Sequence, residues 1–215
     1  MLIIGAKGFA KEVLEIFHQQ KKTENIVFYD DVNRDIGDYL YNEFAILKNM
    51  QEAEKHFREF GPKFTIGVGN PSIRFQLYKK FSNIGGQLVS SISPLSQIGN
   101  YGNAIEDGCN VMTGTILTND IHLHKGVLVN LNCTIGHDSV LEEFVELCPG
   151  VHVSGNCTIG KYSFIGTNAA ILPHVKIGTN VIVGSGSVVT KDVADNCMVL
   201  GTPAIFKKEI TPISF

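Results

Sequence analysis

The 215-residue chain has no large excess of charge of either sign. Its 18 basic and 21 acidic residues give a formal net charge of −3 and are mixed along the sequence. Proteins that bind nucleic acid or anionic membranes electrostatically carry clusters of lysine and arginine. The chain has no such cluster, so neither nucleic acid nor a membrane surface is expected as a partner.

The sequence also lacks any apolar run long enough for a membrane-spanning helix. Its first residues, Met1 to Gly5, have no basic segment ahead of a long apolar segment, which a secretory signal would have. We therefore expect a cytoplasmic protein without a membrane span.

Cysteine is scarce, and its spacing does not suggest pairs. The five cysteines are odd in number, and no two of them are separated by two residues. A disulfide framework or a zinc site would require paired spacing. Cys109, Cys133 and Cys157 instead fall at small positions of a repeat in the second half of the chain, where thiols fill a core.

That repeat has a period of six residues. From Ile105 to Val189, every sixth residue is Ile, Leu or Val, and the position four residues further on is small or β-branched. The aliphatic positions are Ile105, Val111, Leu117, Leu123, Val129, Ile135, Leu141, Leu147, Val153, Ile159, Ile165, Ile171, Ile177, Val183 and Val189.

Neither a helix nor an ordinary strand has a period of six. The pattern predicts a solenoid of short parallel strands, in which each coil buries its apolar edge by stacking on the next coil at about 4.8 Å. Glycines directly after the aliphatic residue suit tight corners that need a positive φ or a close backbone approach. They are Gly136, Gly160, Gly166, Gly178 and Gly184.

The first part of the chain has the pattern of a βαβ unit. Residues 2–5 form an apolar strand, a glycine turn opens a helix, and residues 25–31 form a second strand that ends in Asp30 and Asp31. Such a turn offers backbone N–H groups to a phosphate, and the acids can accept hydrogen bonds from a ribose or a base. Only Gly5 and Gly8 match the dinucleotide fingerprint, so a turn without a ligand is an alternative.

Further elements complete an α/β domain. The spacing of Ile46, Met50, Ala53, Phe57 and Phe60 predicts one helix, and that of Ile73, Leu77 and Phe81 predicts another. Strands are predicted near residues 64–70 and 87–89, and Pro94 marks the junction with the solenoid. We therefore divide the chain into residues 1–92 and 93–215.

The repeat resembles that of the hexapeptide-repeat proteins, which form a left-handed parallel β-helix with three faces per coil. With its N-terminal domain, the whole chain resembles the NeuD/PglD-type sugar acyltransferases. This resemblance implies a Rossmann-like α/β domain followed by a left-handed β-helix. The motifs that carry it are Gly5-Ala6-Lys7-Gly8-Phe9, Phe28-Tyr29-Asp30-Asp31, Ile66-Gly67-Val68-Gly69-Asn70, Ile135-Gly136-His137-Asp138 and Val199-Leu200-Gly201-Thr202-Pro203-Ala204.

Acetyl transfer to an amine requires a base, aligned reactants and a donor for the thioester oxygen. His137 and Asp138 follow inward Ile135 by two and three residues, so we expect the imidazole to face outward. The resemblance implies that His137 is the general base and that Asp138 increases its basicity. His124 and His152 are second choices, and an idle surface histidine is the alternative for each of them.

Binding residues are implied by the resemblance alone. Sugar-nucleotide contacts would come from Lys7, Gly8, Phe9, Asp30, Asp31 and Gly69, and coenzyme contacts from Glu146, Gly155, Thr167 and Ser185. The chain departs from the family at Phe9 and Glu146, where histidine is usual. For the small residues, corner geometry alone is an alternative explanation.

Several histidines also invite comparison with hexapeptide-repeat carbonic anhydrases, in which three histidines hold zinc between subunits. The candidates are His122, His124, His137 and His152. Carbonic anhydrases do not need a nucleotide-type domain, and their histidine spacing differs, so we expect no metal cofactor.

The predicted activity is transfer of acetyl from acetyl-CoA to the amine of a UDP-linked 4-amino-4,6-dideoxy sugar, by direct attack without an acyl-enzyme. The resemblance implies a homotrimer with active sites between subunits, which would also cover outward apolar residues such as Phe144 and Phe164. The alternatives are O-acetylation of sialic acid or another sugar, and a non-catalytic sugar-nucleotide-binding protein.

Overall fold

The computed structural model describes residues 1–33 and 35–213. The N-terminal domain is a six-stranded sheet of order β3-β4-β2-β1-β5-β6, in which only the pair β3–β4 is antiparallel. Its elements are β1 (Leu2–Ile4), α1 (Gly8–Gln19), β2 (Val27–Tyr29), β3 (Tyr39–Leu40), β4 (Phe44–Leu47), α2 (Met50–Phe60), β5 (Lys63–Ile66), α3 (Pro71–Ser82) and β6 (Gln87–Leu88).

The central strand β1 is apolar throughout because both faces of the sheet are covered. Ile3 packs with Val13 and Phe17 of α1 on one face, and Leu2 packs with Phe57 of α2 on the other. This packing fixes the carboxyl ends of β1 and β2, where ligands bind in sheets of this kind.

One predicted element boundary was wrong. Ile46 belongs to β4, where it pairs with Phe28, and not to the helix that follows. That helix starts at Met50 because the Asn49 side chain accepts the backbone N–H of Glu52 at 3.0 Å, as an N-cap does. Ile46 was assigned to the helix because it lies four positions before Met50, which is also the spacing of one helical turn.

The second part of the chain is a parallel β-helix whose strands form three sheets, of orders β25-β24-β22-β19-β16-β13-β10-β7, β23-β20-β17-β14-β11-β8 and β21-β18-β15-β12-β9. The strands are β7 (Ser91–Ile92), β8 (Gln97–Ile98), β9 (Ala104–Ile105), β10 (Asn110–Val111), β11 (Ile116–Leu117), β12 (His122–Leu123), β13 (Leu128–Val129), β14 (Thr134–Ile135), β15 (Val140–Leu141), β16 (Glu146–Leu147), β17 (His152–Val153), β18 (Thr158–Ile159), β19 (Phe164–Ile165), β20 (Ala170–Ile171), β21 (Lys176–Ile177), β22 (Ile182–Val183), β23 (Val188–Val189), β24 (Cys197–Gly201) and β25 (Ala204–Glu209).

Strands of consecutive coils pair with a shift of 18 residues, as Thr134 does with His152. The predicted inward aliphatic residues from Val111 to Val189 are all buried in one core, and Ile105 packs partly buried at its end. All five cysteines are free and buried, as expected of core-filling thiols. The predicted junction after residue 92 falls at the end of β7, the first strand of the solenoid.

At the corners of the solenoid, the structure distinguishes between the two predicted roles of glycine. The left-handed backbone recurs every six residues from Gly102 to Gly186, and Asp138 occupies one such position with φ 57°. The glycines that follow the aliphatic residues do not have a positive φ; they allow close approach between coils instead. A Cβ added at Gly160, for example, would lie 2.5 Å from the backbone carbonyl carbon of Gly178.

From the sequence, we predict that Phe144 is an outward apolar residue covered by a neighbouring subunit. This prediction is wrong. Phe144 is 2% exposed because Phe75 and Tyr78 of α3 cover it within the same chain, with ring centroids 5.3 and 5.7 Å away. The expectation failed because the docking of the α/β domain onto the solenoid cannot be read from the repeat.

Among the described residues, no helix combines the length and the apolar character needed to cross a membrane. The cytoplasmic location stays a prediction.

We expect Gly160→Ala to lower the free energy of unfolding by about 1–3 kcal/mol, because the added methyl group must push two coils apart. Urea denaturation measures the change. The matched control is Gly37→Ala, where an added Cβ meets nothing within 4 Å. Equal stability of the two variants would contradict the close-approach role of Gly160.

Candidate active site

The glycine turn after β1 forms one wall of a cavity of about 260 Å³. Gly5 takes φ 102° and packs against Val68, where a Cβ would lie 2.8 Å from Cγ2. The lining includes five of the predicted substrate residues, namely Lys7, Gly8, Phe9, Asp30 and Gly69. The turn and the ends of β1, β2 and β5 thus bring these residues together, although they are far apart in the chain.

An adjoining cavity of about 230 Å³ contains Asp31, the sixth predicted substrate residue, and shares Asp30 with the first cavity. Its remaining lining is largely apolar, including Val68, Ile73 and Leu77. An apolar pocket with a few polar groups at strand ends is the usual form of a small-molecule site.

The two acids have different roles in this region. The Asp30 carboxylate is 7% exposed and accepts hydrogen bonds from the backbone and side chain of Asn33, both at 2.9 Å, so it orders the loop after β2. Asp31 is more exposed and accepts hydrogen bonds from the Tyr29 hydroxyl and from Lys80 Nζ, each at 2.7 Å. Desolvation would raise the pKa of Asp31, but these two donors outweigh it and lower the pKa.

Lys80 was missed by the sequence analysis. It lies in the last turn of α3, about fifty positions from Asp31, and no local spacing links the two residues. Lys7 was predicted, and its ammonium group lies 3.2 Å from the exposed carboxylate of Asp35. Lys7 lines the first cavity, whereas Lys80 reaches the second cavity only through its ion pair with Asp31.

His137 and Asp138 form an exposed pair at a corner of the solenoid. His137 Nδ1 lies 2.6 Å from Asp138 Oδ2, and the side chains are 63% and 55% exposed. A carboxylate that accepts the Nδ1 proton leaves Nε2 with its lone pair free in the neutral imidazole. The geometry is that of a base oriented by an acid.

The corner one coil further on makes room for the imidazole. A Cβ added at Gly155 would lie 2.7 Å from His137 Nε2, and the backbone N–H of Asn156 donates to the His137 carbonyl at 2.8 Å. Gly155 therefore lies beside the predicted base, because residues 18 positions apart are stacked in this fold.

Thr167 and Ser185 occupy equivalent exposed corners of consecutive coils, next to the backbone hydrogen bond from Gly186 to Thr167 at 2.8 Å. These corners follow strands β19 and β22, whereas His137 and Gly155 follow β14 and β17. The predicted coenzyme residues thus lie along two different edges of one solenoid.

Glu146 has a position that the sequence analysis did not anticipate. It is 6% exposed, and its carboxylate accepts the backbone N–H of Asn70 at 2.7 Å beside Gly69. Burial raises the pKa of Glu146, opposed by the Asn70 hydrogen bond and by the charge of Arg74. The carboxylate therefore joins the solenoid to the loop that lines the substrate cavity, and its coenzyme contact stays a prediction.

Arg74 is fully buried between the two domains. Its guanidinium group donates to Val68 O of the α/β domain at 3.0 Å, and to Asn110 Oδ1 and Gly126 O of the solenoid at 2.7 and 3.0 Å. Burial lowers its pKa to about 10, so the group is still charged at neutral pH. The two domains are thereby held in one orientation.

The histidines considered for a zinc site do not all converge. Of the described residues, one group has metal-ligand geometry, and it consists of Glu106, His122 and His124. His137 and His152 are not members of this group; His152 Nδ1 instead lies 2.9 Å from the Thr134 hydroxyl.

Two family models match the chain. The PglD N-terminal domain matches residues 1–81, and the bacterial transferase hexapeptide (six repeats) matches residues 156–191. No curated protein matches the chain.

Several solved structures are similar over the whole chain. The acetyltransferase domain of PglB from Neisseria gonorrhoeae FA1090 is 32% identical, with a TM-score of 0.86, and the match covers 96% of this chain and 98% of that one. WeeI from Acinetobacter baumannii AYE is 29% identical, with a TM-score of 0.85 and the same coverage of 96% and 98%.

A mutant of perosamine N-acetyltransferase from Caulobacter crescentus, in complex with CoA and GDP-perosamine, is 25% identical, with a TM-score of 0.87 over 97% of this chain and 96% of that one. The PglB domain is also known in complex with acetyl coenzyme A. These matches, together with the sheets of the chain, confirm the predicted Rossmann-like domain and left-handed β-helix.

We expect Arg74→Met to lower the free energy of unfolding by about 3 kcal/mol, because it leaves buried acceptors of both domains without a donor. Chemical denaturation monitored by circular dichroism measures the loss. Arg58→Met on α2, where the arginine is 69% exposed, is the control. A loss no greater than that of the control would show that Arg74 does not hold the domains together.

Proposed function

The chain belongs to the PglD-type sugar acetyltransferases of the hexapeptide-repeat superfamily, and from that premise we propose that it transfers acetyl from acetyl-CoA to the amine of a nucleotide-linked amino sugar. The observation that carries the proposal is the exposed His137–Asp138 pair in a chain that also has the family's nucleotide-type cavity. Similar enzymes bind acetyl coenzyme A, or CoA together with GDP-perosamine.

In the proposed reaction the sugar amine attacks the thioester carbonyl carbon directly. His137 Nε2 accepts the proton that the amine loses as the nitrogen–carbon bond forms. Asp138, at 2.6 Å from Nδ1, stabilises the resulting imidazolium ion. The carbon–sulfur bond then breaks, and the imidazolium returns its proton to the coenzyme thiolate, so atoms and charge balance without an acyl-enzyme.

We assign the nucleotide to the two adjoining cavities of the α/β domain. The N-terminus of α1 at Gly8 offers backbone N–H groups to a phosphate, and Lys7 adds a positive charge near it. Asp31 can accept a hydrogen bond from a base N–H, while the apolar side chains of Ile73 and Leu77 can pack against the ring. The Phe9 ring borders the glycine turn after β1.

The test is release of free thiol from acetyl-CoA with a panel of nucleotide-linked amino sugars. UDP-linked 4-amino-4,6-dideoxy sugars come first, and GDP-perosamine is the second member because a similar enzyme binds it. Release with free sialic acid alone would replace the proposal with O-acetylation. Binding without thiol release from any acceptor would favour a non-catalytic sugar-nucleotide-binding protein.

We expect His137→Ala to lower kcat by about 10²–10⁴ and to leave acetyl-CoA binding nearly unchanged, because the variant loses the base and little contact area. Steady-state kinetics with the acceptor found in the panel measures the effect. His18→Ala on α1 is the control, since that exposed side chain is remote from the pair. Near-wild-type turnover of His137→Ala would refute the assignment of the base.

We further propose a homotrimer in which one chain supplies the edge with His137 and Gly155 and its neighbour supplies the edge with Thr167 and Ser185. The proposal is supported by the separation of these residues onto two edges of a single solenoid. Acetyl-CoA would lie between the edges, with its amides paired to backbone groups. The alternative is a site complete within one chain.

A mixture of inactive variants distinguishes these possibilities. Chains carrying His137→Ala and chains carrying Ser185→Trp are each expected to be inactive alone. After co-assembly in equal amounts, about one quarter of the sites would combine an intact His137 with a neighbour's intact Ser185, so about one quarter of wild-type activity should return. A mixture that stays inactive, although sedimentation shows mixed oligomers, would contradict the shared site.

A further inference from the structure

The side chains of Glu106, His122 and His124 meet on the outer surface of the first coils of the solenoid, at a corner different from that of His137. Glu106 follows strand β9, and His124 lies 18 residues later, directly above it, because His122 pairs with Ala104 in the parallel ladder. His122 and His124 flank inward Leu123, so alternation directs both imidazoles outward. The fold therefore brings three ligand-type side chains from two coils to one place.

Both imidazoles direct a nitrogen atom at the same carboxylate oxygen. His122 Nε2 lies 3.0 Å and His124 Nδ1 lies 2.8 Å from Glu106 Oε1, and the three ligand atoms are within 4.8 Å of one another. The three side chains therefore already converge on one point of the surface.

The two rings stack with centroids 3.8 Å apart and an interplanar angle of 26°. A cation between the three side chains would use imidazole lone pairs and the carboxylate charge together. Two histidines and one glutamate are a known zinc ligand set.

The surroundings also suit a bound ion. The second carboxylate oxygen of Glu106 accepts the backbone N–H of Lys125 at 3.0 Å, and such a bond fixes the orientation of a ligand. The three side chains are 31–40% exposed, which leaves room for a water molecule as the fourth ligand. A cavity of about 180 Å³ lies beside His124 and is also lined by Glu142, Glu143 and Lys161.

Zinc–ligand bonds of about 2.0–2.2 Å separate tetrahedral ligand atoms by roughly 3.3–3.6 Å. The two nitrogen–oxygen distances of 2.8 and 3.0 Å would therefore need to widen by about 0.3–0.8 Å.

We propose that Glu106, His122 and His124 bind one divalent cation of the zinc class, which links the first coil of the solenoid to the second. The site is independent of acetyl transfer, since none of the three residues belongs to the proposed catalytic pair or to either cavity of the α/β domain. Its effect is expected on the stability of the N-terminal end of the solenoid.

The test uses the full chain without a polyhistidine tag, treated with a chelator and then titrated with zinc chloride. We expect one zinc ion per chain by calorimetry and a higher thermal unfolding midpoint when zinc is present. Co²⁺ in place of zinc should give visible absorption bands typical of a tetrahedral site.

In His124→Ala and Glu106→Gln, we expect the affinity to fall by a factor of ten or more, and both the thermal shift and the cobalt bands to disappear. His152→Ala, which removes an exposed histidine outside the group, is the matched control and should bind like the wild type. Circular dichroism verifies that each variant is folded.

Three results would overturn the proposal, and the first two concern the variants. One is zinc binding of equal affinity in Glu106→Gln, His124→Ala and the wild type. The other is loss of the bound ion in His137→Ala instead, which would move the site to the catalytic pair. Absence of binding to the wild type would leave the three residues as a hydrogen-bonded cluster and would also refute the site.

Discussion

Each coil of the solenoid buries its apolar edge only against the coils before and after it, and this constraint determines where the functional side chains of the solenoid lie. Residues 18 positions apart are stacked, as the pairing of Thr134 with His152 shows. The same rule puts Gly155 beside the imidazole of His137, and His124 above Glu106. Because the coils stack regularly, residues separated by one repeat of 18 positions become neighbours in space.

A second constraint is the docking of the α/β domain, which the repeat does not specify. It depends on buried groups that are unfavourable unless they find partners, chiefly the guanidinium of Arg74 and the carboxylate of Glu146. Because both groups satisfy hydrogen-bonding atoms of the opposite domain, a shift of either domain would leave a buried charge without its partners. The orientation of the substrate cavity relative to the solenoid is therefore well determined.

The sequence was sufficient for features that depend on periodicity. It predicted the aliphatic core from Val111 to Val189, the exposed position of His137 and the βαβ start of the chain, because these follow from local pattern alone. It was insufficient for contacts between distant segments. The cover over Phe144 and the ion pair of Asp31 with Lys80 link residues tens of positions apart, and their spacing contains no signal of contact. The assignment of Ile46 to a helix failed for a related reason, since strand and helix spacing coincide over one turn.

Glu146 links the wall of the substrate cavity to the solenoid. The Glu146 carboxylate accepts a hydrogen bond from the backbone N–H of Asn70, next to Gly69 in the cavity wall. Glu146 lies on β16, and the strand stacked on β16 in the next coil, β19, leads into the corner with Thr167. A ligand that moves the Gly69–Asn70 loop must therefore strain a buried hydrogen bond to the solenoid. Since burial raises the pKa of this carboxyl group, proton uptake would weaken the bond at a higher pH than for an exposed glutamate. One carboxylate therefore takes part both in the docking of the two domains and in holding the loop at the wall of the substrate cavity.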